Sequence, residues 1–365
     1  MKVSATREHL LEALQSVIGV VERRQTMPIL SNVLLSARDN RLRFTGTDLE
    51  VELVAAAEVS VQQPGDVTVP GRKLLDIVRT LPEKTAVTLS REGEKVVLRG
   101  ARSRFTLSSL PAAEFPIIED INAQHTLSIR AHDCRRLIDK THFAMAQQDV
   151  RYYLNGTLLE SDGRTLRAVA TDGHRLSWCE VTLDGKAREL QQIILPRKGV
   201  LELQRLLDGE GEIEIAIGTN HIRVQIGEVR FTSKLIDGKF PEYSRVIPAH
   251  PPRIMTAVRE GLRSALQRTA ILSNEKYRGV RLTFAPGLLT VQAHNPEQEE
   301  AEDQVEVSFS GDELEIGFNV SYLLDALAAV DTENVEVALT DANSSCLIRA
   351  PGDATVKYVV MPMRL

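Results

Sequence analysis

Thr171-Asp172-Gly173-His174 sets a carboxylate and an imidazole two residues apart, the elements of a general-base pair or of half a metal site. The partners such chemistry needs are missing: the chain has no Glu-x-x-His, no Gly-x-Ser-x-Gly and no second histidine cluster. A similar run, Thr47-Asp48-Leu49-Glu50, lacks the histidine, and a turn aspartate that accepts main-chain N–H groups accounts for Asp48 and Asp172 together. Gly65 and Gly71 before Arg72-Lys73 make a poor phosphate loop, because the spacing is one residue too long and arginine stands where lysine should. Cys134, Cys179 and Cys346 are distant and odd in number, which fits buried thiols and neither a disulfide framework nor a zinc knuckle. The residues thus predict no catalytic group, no metal ligand set and no cofactor, and attention shifts to what the rest of the chain builds.

At 365 residues the chain exceeds what one core serves, so two or three domains are expected. Hydrophobic residues at 43% and charged residues at 26% suit a globular protein and exclude disorder and collagen-like repeats. No stretch approaches the roughly 18 uninterrupted apolar residues of a membrane helix. Met1 to Arg7 leads into a charged amphipathic segment and does not read as an export signal, so a cytoplasmic location away from membranes is expected.

Self-similarity organises the chain. Arg7-Glu8-His9-Leu10-Leu11-Glu12-Ala13-Leu14 recurs as Arg259-Glu260-Gly261-Leu262-Arg263-Ser264-Ala265-Leu266 at a shift of 252. Leu42 to Asp48 recurs as Leu166 to Asp172 at a shift of 124, and Arg104-Phe105-Thr106 recurs as Arg230-Phe231-Thr232 at 126. These shifts are two modules, one and one, so the unit is a third of the chain. Each unit carries a first amphipathic helix, within 7–20, 131–145 and 258–272. A second begins after Val69-Pro70, Leu195-Pro196 and Phe318-Asn319, where proline or asparagine suits a helix start. Between them, runs such as 42–44, 87–89, 96–98, 212–217 and 335–339 alternate with period two and predict antiparallel strands. The expected fold is α+β: three repeated domains, 1–122, 123–250 and 251–365, each reading α-β-β-β twice with its helices on one face of the sheets.

Charge follows the helices. Segments 71–80, 197–207 and 259–269 carry +2 each, 131–141 carries +1, and 7–17 and 320–330 carry −1 each. The helices therefore total +5, which leaves −11 for the remainder of a chain whose net charge is −6. Lysine and arginine on helices can simply solvate exposed faces. If the six helices share a surface, that surface instead offers nucleic acid a diffuse positive field within an acidic protein, and binding would be blind to sequence.

Five runs are more specific: Gln148 to Gly156, Ala170 to Leu176, Ser273 to Lys276, Asn295 to Glu302, and Tyr358 to Leu365. On them the chain resembles, over its full length, the bacterial DNA polymerase III β subunit family, the sliding clamps. The resemblance implies a ring-shaped head-to-tail homodimer that encircles double-stranded DNA, opened by a clamp loader, and that tethers the replicative polymerase and other clamp-binding-motif proteins. It implies DNA contacts at Arg24 and Gln148, with Arg72, Arg197 and Lys198 as further candidates. It maps a peptide-binding groove to Leu154, Thr171, Gly173, His174, Arg175, Leu176, Pro241, Arg245, Val246, Ser345, Val359, Met361, Pro362, Met363 and Arg364. Methionine and leucine there suit a promiscuous apolar groove, with His174 and Arg175 expected to orient the peptide. Asn343 stands where the family places an apolar residue. For the dimer interface it implies Phe105 against Ile271 and Leu272, with Lys73, Arg102 and Arg104 facing the partner's acidic run at Glu297, Glu299 and Glu300.

Overall fold

A strand precedes each of the six helices among the described residues, so the repeat is βαβββ twice, and the predicted αβββ unit is short by one strand. The computed structural model describes residues 1–22, 27–183 and 190–364. The first third runs β1 (Lys2–Thr6), α1 (Arg7–Val17), β2 (Asn32–Arg38), β3 (Arg41–Thr47), β4 (Val51–Glu58), β5 (Ser60–Gln63), β6 (Gly65–Pro70), α2 (Gly71–Thr80), β7 (Ala86–Glu92), β8 (Lys95–Gly100) and β9 (Ser103–Ser108). The second runs β10 (His125–Arg130), α3 (Ala131–Asp139), β11 (Gly156–Ser161), β12 (Thr165–Thr171), β13 (Arg175–Thr182), β14 (Leu190–Pro196), α4 (Arg197–Leu206), β15 (Glu212–Ile217), β16 (His221–Ile226) and β17 (Val229–Lys234). The third runs β18 (Arg253–Val258), α5 (Arg259–Ala270), β19 (Gly279–Ala285), β20 (Leu288–His294), β21 (Glu300–Glu306), β22 (Leu314–Asn319), α6 (Val320–Ala329), β23 (Asn334–Leu339), β24 (Cys346–Arg349) and β25 (Val356–Val360).

The second helices begin where the sequence places them, at 71, 197 and 320. The missed strands before the second helices end on the residues that read as helix starts. Pro70 pairs with Asn32 and Pro196 with Gly156, because a strand can close on a residue that contributes no ladder N–H, and Asn319 pairs with Gly279. Asn319 does both jobs: its side chain also accepts from the Ser321 and Tyr322 N–H groups and caps α6. The Gly65-to-Gly71 segment is this strand β6, paired along β2, and forms no loop for a phosphate.

Every strand pairing among the described residues is antiparallel, in four sheets ordered β5-β1-β7-β8-β9, β10-β15-β16-β17-β4-β3-β2-β6, β14-β11-β12-β13-β25-β24-β23-β18 and β21-β20-β19-β22. The two eight-stranded sheets each join halves of successive repeats, β17 on β4 and β25 on β13. Two compact bodies result from three repeats: residues 1–135 with 198–235, and 136–197 with 236–365. Each joining strand carries a cation followed by an aromatic ring, Arg230-Phe231 and Lys357-Tyr358, whose rings are buried. Arg104-Phe105 occupies the same place on β9, where Phe105 stays partly exposed because β9 is a sheet edge.

The helices bury one stripe each, for example Leu10, Ala13, Leu14 and Val17 of α1, and Leu74, Leu75 and Val78 of α2. Their cations are less free than the charge count suggests. Arg7 donates to the carbonyls of Val78 (3.1 Å) and Arg79 (3.0 Å) at the end of α2. Arg135 does the same to Leu207 (2.9 Å) beyond α4, and Arg259 to Val330 (2.8 Å) beyond α6. In each repeat an arginine of the first helix thus satisfies carbonyls that the second helix leaves open, at the negative end of its dipole. The all-buried cysteines bear out the reading as inert thiols: burial pushes Cys134 and Cys346 up to about 12 and Cys179 up to about 11.

Arg259→Leu should lower stability by about 2 kcal/mol in urea unfolding, the range for a hydrogen bond to a charged donor. Arg263→Leu, whose guanidinium meets only Glu260 on the same helix among the described residues, should change it by under ~0.5 kcal/mol. Equal midpoints for the two variants would reject the capping role.

Candidate functional site

The turn from β12 into β13 organises one end of the second eight-stranded sheet. Thr171 Oγ1 donates to the Arg175 carbonyl (2.6 Å) and accepts the Gly173 N–H (3.1 Å), while Asp172 Oδ1 accepts from the N–H groups of His174 (2.9 Å) and Arg175 (3.1 Å). Thr47 and Asp48 repeat this between β3 and β4, with Asp48 accepting from Glu50 (2.9 Å) and Val51 (2.7 Å). Ser161 and Asp162 build it a third time between β11 and β12. Asp172 is therefore a turn-forming acceptor, as its match to Asp48 predicts. Gly173 has φ +89°, and a Cβ there would lie 2.8 Å from Arg151 Nη1, so the position demands glycine twice over.

Beyond the turn, β13 meets β25 with Leu176 opposite Val359 and Arg175 opposite Val360. Leu176 and Val359, 3% and 1% exposed, join Leu154, Trp178, Phe240 and Leu347 in one apolar cluster. Above it opens a groove of about 200 Å³. Leu154, Thr171, Gly173, Arg175, Leu176, Pro241, Val246, Val359 and Met361 line it as expected, together with Arg151, Tyr153, Glu242 and Tyr243, which the sequence reading missed.

The remaining expected residues stand around this lining. The His174 carbonyl accepts the Met361 N–H (2.9 Å), and its ring is exposed. Ser345 Oγ donates to the Val246 carbonyl (3.1 Å), and Arg245 pairs with Glu242 (2.7 Å). Met363 N–H bonds the Gly317 carbonyl (2.9 Å), while Pro362 is half-buried and Arg364 exposed. Asn343 bonds Asp341 through its N–H (2.8 Å) and lies outside the lining, so its departure from an apolar residue leaves the groove intact.

Arg175 is held by Asp172 (3.1 Å), Asp325 (2.5 Å) and the Phe143 carbonyl (2.7 Å), with its guanidinium 4.5 Å from the Tyr322 ring centre. A fork with that many fixed partners gives this wall of the groove a fixed shape. Two further contacts stiffen the rim. Arg151 bonds Asp149, holding its carboxyl down to about 2, and reaches the Asp172 carbonyl (3.1 Å). Tyr243 donates to Glu160, and burial, then that carboxylate, pushes its phenol up to about 12.

The comparisons with known proteins cover every repeat. Family models described as the DNA polymerase III beta subunit N-terminal, central and C-terminal domains match residues 1–119, 128–242 and 244–364. The chain is 54% identical to the beta sliding clamp of Pseudomonas aeruginosa and 50% identical to that of Escherichia coli K12, over 100% of both chains in each case. It superposes on the crystal structure of the Pseudomonas aeruginosa DNA polymerase III subunit beta with a TM-score of 0.98 at 53% identity, and on that of Caulobacter crescentus pol III beta with 0.95 at 40%, covering all of each chain. The chain belongs to the DNA polymerase III beta subunit family, the beta sliding clamps. It has the three DNA-clamp domains of that family, for which a homodimeric ring and a peptide groove are typical.

In this clamp-family chain the first junction, β4 with β17, is the groove's counterpart and is built differently. Glu52 stands where Leu176 does at the repeat shift of 124, and it faces the Arg230-Phe231-Thr232 strand. Glu52 is 1% exposed and accepts the Ile118 N–H (2.7 Å), with Arg230 3.6 Å away. Arg223 bonds Thr232 (3.1 Å) and Asp120 (2.9 Å) beside it. The first junction is sealed by polar groups and the linker backbone, whereas the second is apolar and open.

The DNA-contact candidates gather at no single pocket. Arg24 lies outside the described residues. Arg72 Nε bonds the Val21 carbonyl (3.1 Å), and Lys198 pairs with Glu22 (2.5 Å) and Asp48. Arg197 is half-buried with Nη1 unbonded, and Gln148 is exposed at φ +54°. Of the interface candidates, Arg104 and Phe105 lie on edge strand β9, Arg102 just before it, and Lys73 exposed on α2. Ile271, 76% exposed, and Leu272 follow α5, which packs on edge strand β21; Glu300 begins that strand, with Glu297 and Glu299 exposed just before it.

Burial raises the Glu52 carboxyl, against the Ile118 N–H and Arg230. A raised folded value favours folding most below the ordinary carboxylate range and loses that contribution as pH rises through it. Glu52→Gln stays neutral, so its melting temperature relative to the parent should rise between about pH 4 and pH 7. A difference that falls or stays flat over that window would refute the assignment.

Proposed function

We propose that this chain is a non-catalytic processivity clamp: two copies close head to tail into a ring around duplex DNA, and its groove tethers the replicative polymerase and other partners by short peptides. The observation that carries the reading is a pair of unfilled edges. Within the chain, each junction sets the last strand of one repeat against the strand ending the first βαβββ half of the repeat before it, β17 on β4 and β25 on β13. By that rule β9 and β21 remain, each at a sheet edge, one in the first repeat and one in the third. Pairing β9 of one copy with β21 of the next would repeat the junction and remove the exposed edges.

The side chains support this pairing. β21 reads Glu-Ala-Glu-Asp-Gln-Val-Glu, and the β9 side offers Lys73, Arg102 and Arg104. Phe105 would gain the burial that Phe231 and Tyr358 have, against Ile271 and Leu272 of the next copy. Cations on one end and acids on the other favour head-to-tail over like-to-like contact.

In the proposed ring, domains 1–122, 123–250 and 251–365 present their six helices to the channel. Arg24, Arg72, Gln148, Arg197 and Lys198 are the proposed DNA contacts. Since Arg72 and Lys198 already have protein partners, their contacts would be weak and screened, which suits sliding. A closed ring needs a clamp loader to open it. Among the described residues no helix is long and apolar enough to cross a membrane, in keeping with work at the nucleoid in the cytoplasm.

Clamp loaded on nicked circular DNA should remain through gel filtration and dissociate once the circle is linearised; equal retention or equal loss on both forms would sink the ring. Met361→Asp should weaken a polymerase-derived clamp-binding peptide by about tenfold or more in fluorescence anisotropy, with an unchanged melting temperature. Undiminished affinity would remove the groove assignment.

A further inference from the structure

A second cleft, of about 710 Å³, opens on the first eight-stranded sheet, on the face opposite the buried Leu42 and Phe44. Its shape follows from register. Asp39 and Asn40, at φ +49° and +56°, make the tight β2–β3 turn that sets Arg38 opposite Arg41. One row inward, Arg43 stands between Ser36 and Ala56, two small residues that leave a depression around it. Arg230 closes the far side, opposite Val54.

Four guanidinium groups on one sheet face repel one another unless they are neutralised. Arg38 pairs with Asp66 (2.7 Å) and Arg41 with Glu228. Arg43 has neither an ion-pair nor a hydrogen-bond partner among the described residues. The carboxylate paired with Arg230, Glu52, is 3.6 Å away, and its buried Nε is unbonded. Burial, then the charges of Arg223 and Arg43, disfavour the Arg230 cation, a cost that an incoming anion would relieve. The floor between them is apolar, Leu34, Val54 and Ala56, with Ile117 63% exposed on the rim.

We propose that this cleft docks an acidic peptide segment of a partner protein, one carboxylate bridging Arg43 and Arg230 and an adjacent apolar side chain resting on Ala56 and Ile117. The volume suits several residues of extended chain. A nucleic acid strand fits less well: Asp39, Asp66 and Glu228 ring the cleft and would face its phosphates, whereas a peptide offers one charge where two cations lack a full partner. The site lies in the first body and shares no residue with the groove.

The test uses the full-length protein and a fluorescein-labelled peptide alternating aspartate with leucine, alongside an asparagine-for-aspartate version. Saturable binding is expected, at least tenfold weaker for the asparagine peptide and for Arg43→Glu, while Arg43→Glu leaves clamp-binding-peptide affinity in the groove unchanged. Ala56→Trp, which fills the floor, should cause a similar loss. No saturation below about 1 mM, or equal affinity for parent and Arg43→Glu, would overturn the proposal. So would a labelled single-stranded oligonucleotide that binds with the same Arg43 dependence and is displaced by the peptide, which would assign the cleft to nucleic acid.

Discussion

Main-chain pairing between the last strand of one repeat and the strand that ends the first half of the repeat before it is the constraint on which the rest depends. It turns six small half-sheets into two sheets of eight strands and two end sheets of five and four. Without the junctions the central repeat would expose two further edges, β13 and β17, of unpaired N–H and C=O groups, an unstable and sticky arrangement. The junction buries a ring on each joining strand, Phe231 or Tyr358, and a large apolar side chain so placed contributes ~1.5–3 kcal/mol. Phe105 is the ring left over, and edge strands β9 and β21 are the pairing left undone.

Because both internal junctions use the same geometry, their differences carry the functional meaning. At the second, Leu176 opposite Val359 makes an apolar floor that tolerates an emptied groove, since the exposed surface needs no hydrogen-bond partners. At the first, Glu52 occupies the matching place, a buried carboxylate held by the Ile118 N–H with the Arg230 charge 3.6 Å away. Opening that junction to a peptide would strip a charge of its partners. The contrast explains why the second junction forms an apolar groove and the first does not.

Electrostatics divides in a similar way between internal and external use. The helix excess of +5 is a true property of the chain, yet Arg7, Arg135 and Arg259 direct their guanidinium groups onto helix carbonyl ends, and Lys198 and Arg268 onto carboxylates. A field summed over such groups persists at a distance, while few of them can leave their partners to grip a phosphate. A diffuse attraction without tight contacts is the physical condition for sliding that a topological clamp requires.

The sequence by itself determined the threefold repeat, the second-helix starts at 71, 197 and 320, the turn role of Asp48 and Asp172, and the apolar half of the groove. These are local properties: side-chain period, helix-start residues and turn acceptors act within a few positions. What it missed were the strands before each helix, three of which end on residues that mimic a helix start, and the groove residues Arg151, Tyr153, Glu242 and Tyr243, which come from loops. The pairing of Glu52 with Leu176 was readable at the shift of 124, but its consequence was not. Only tertiary structure decided that Arg175 is bound to Asp172, Asp325 and Phe143, that Arg43 has no ion-pair or hydrogen-bond partner among the described residues, and that β9 and β21 are edges. A guanidinium is about as long as the gap between neighbouring elements, so its partner depends on register and packing across more than a hundred residues, which no local pattern encodes.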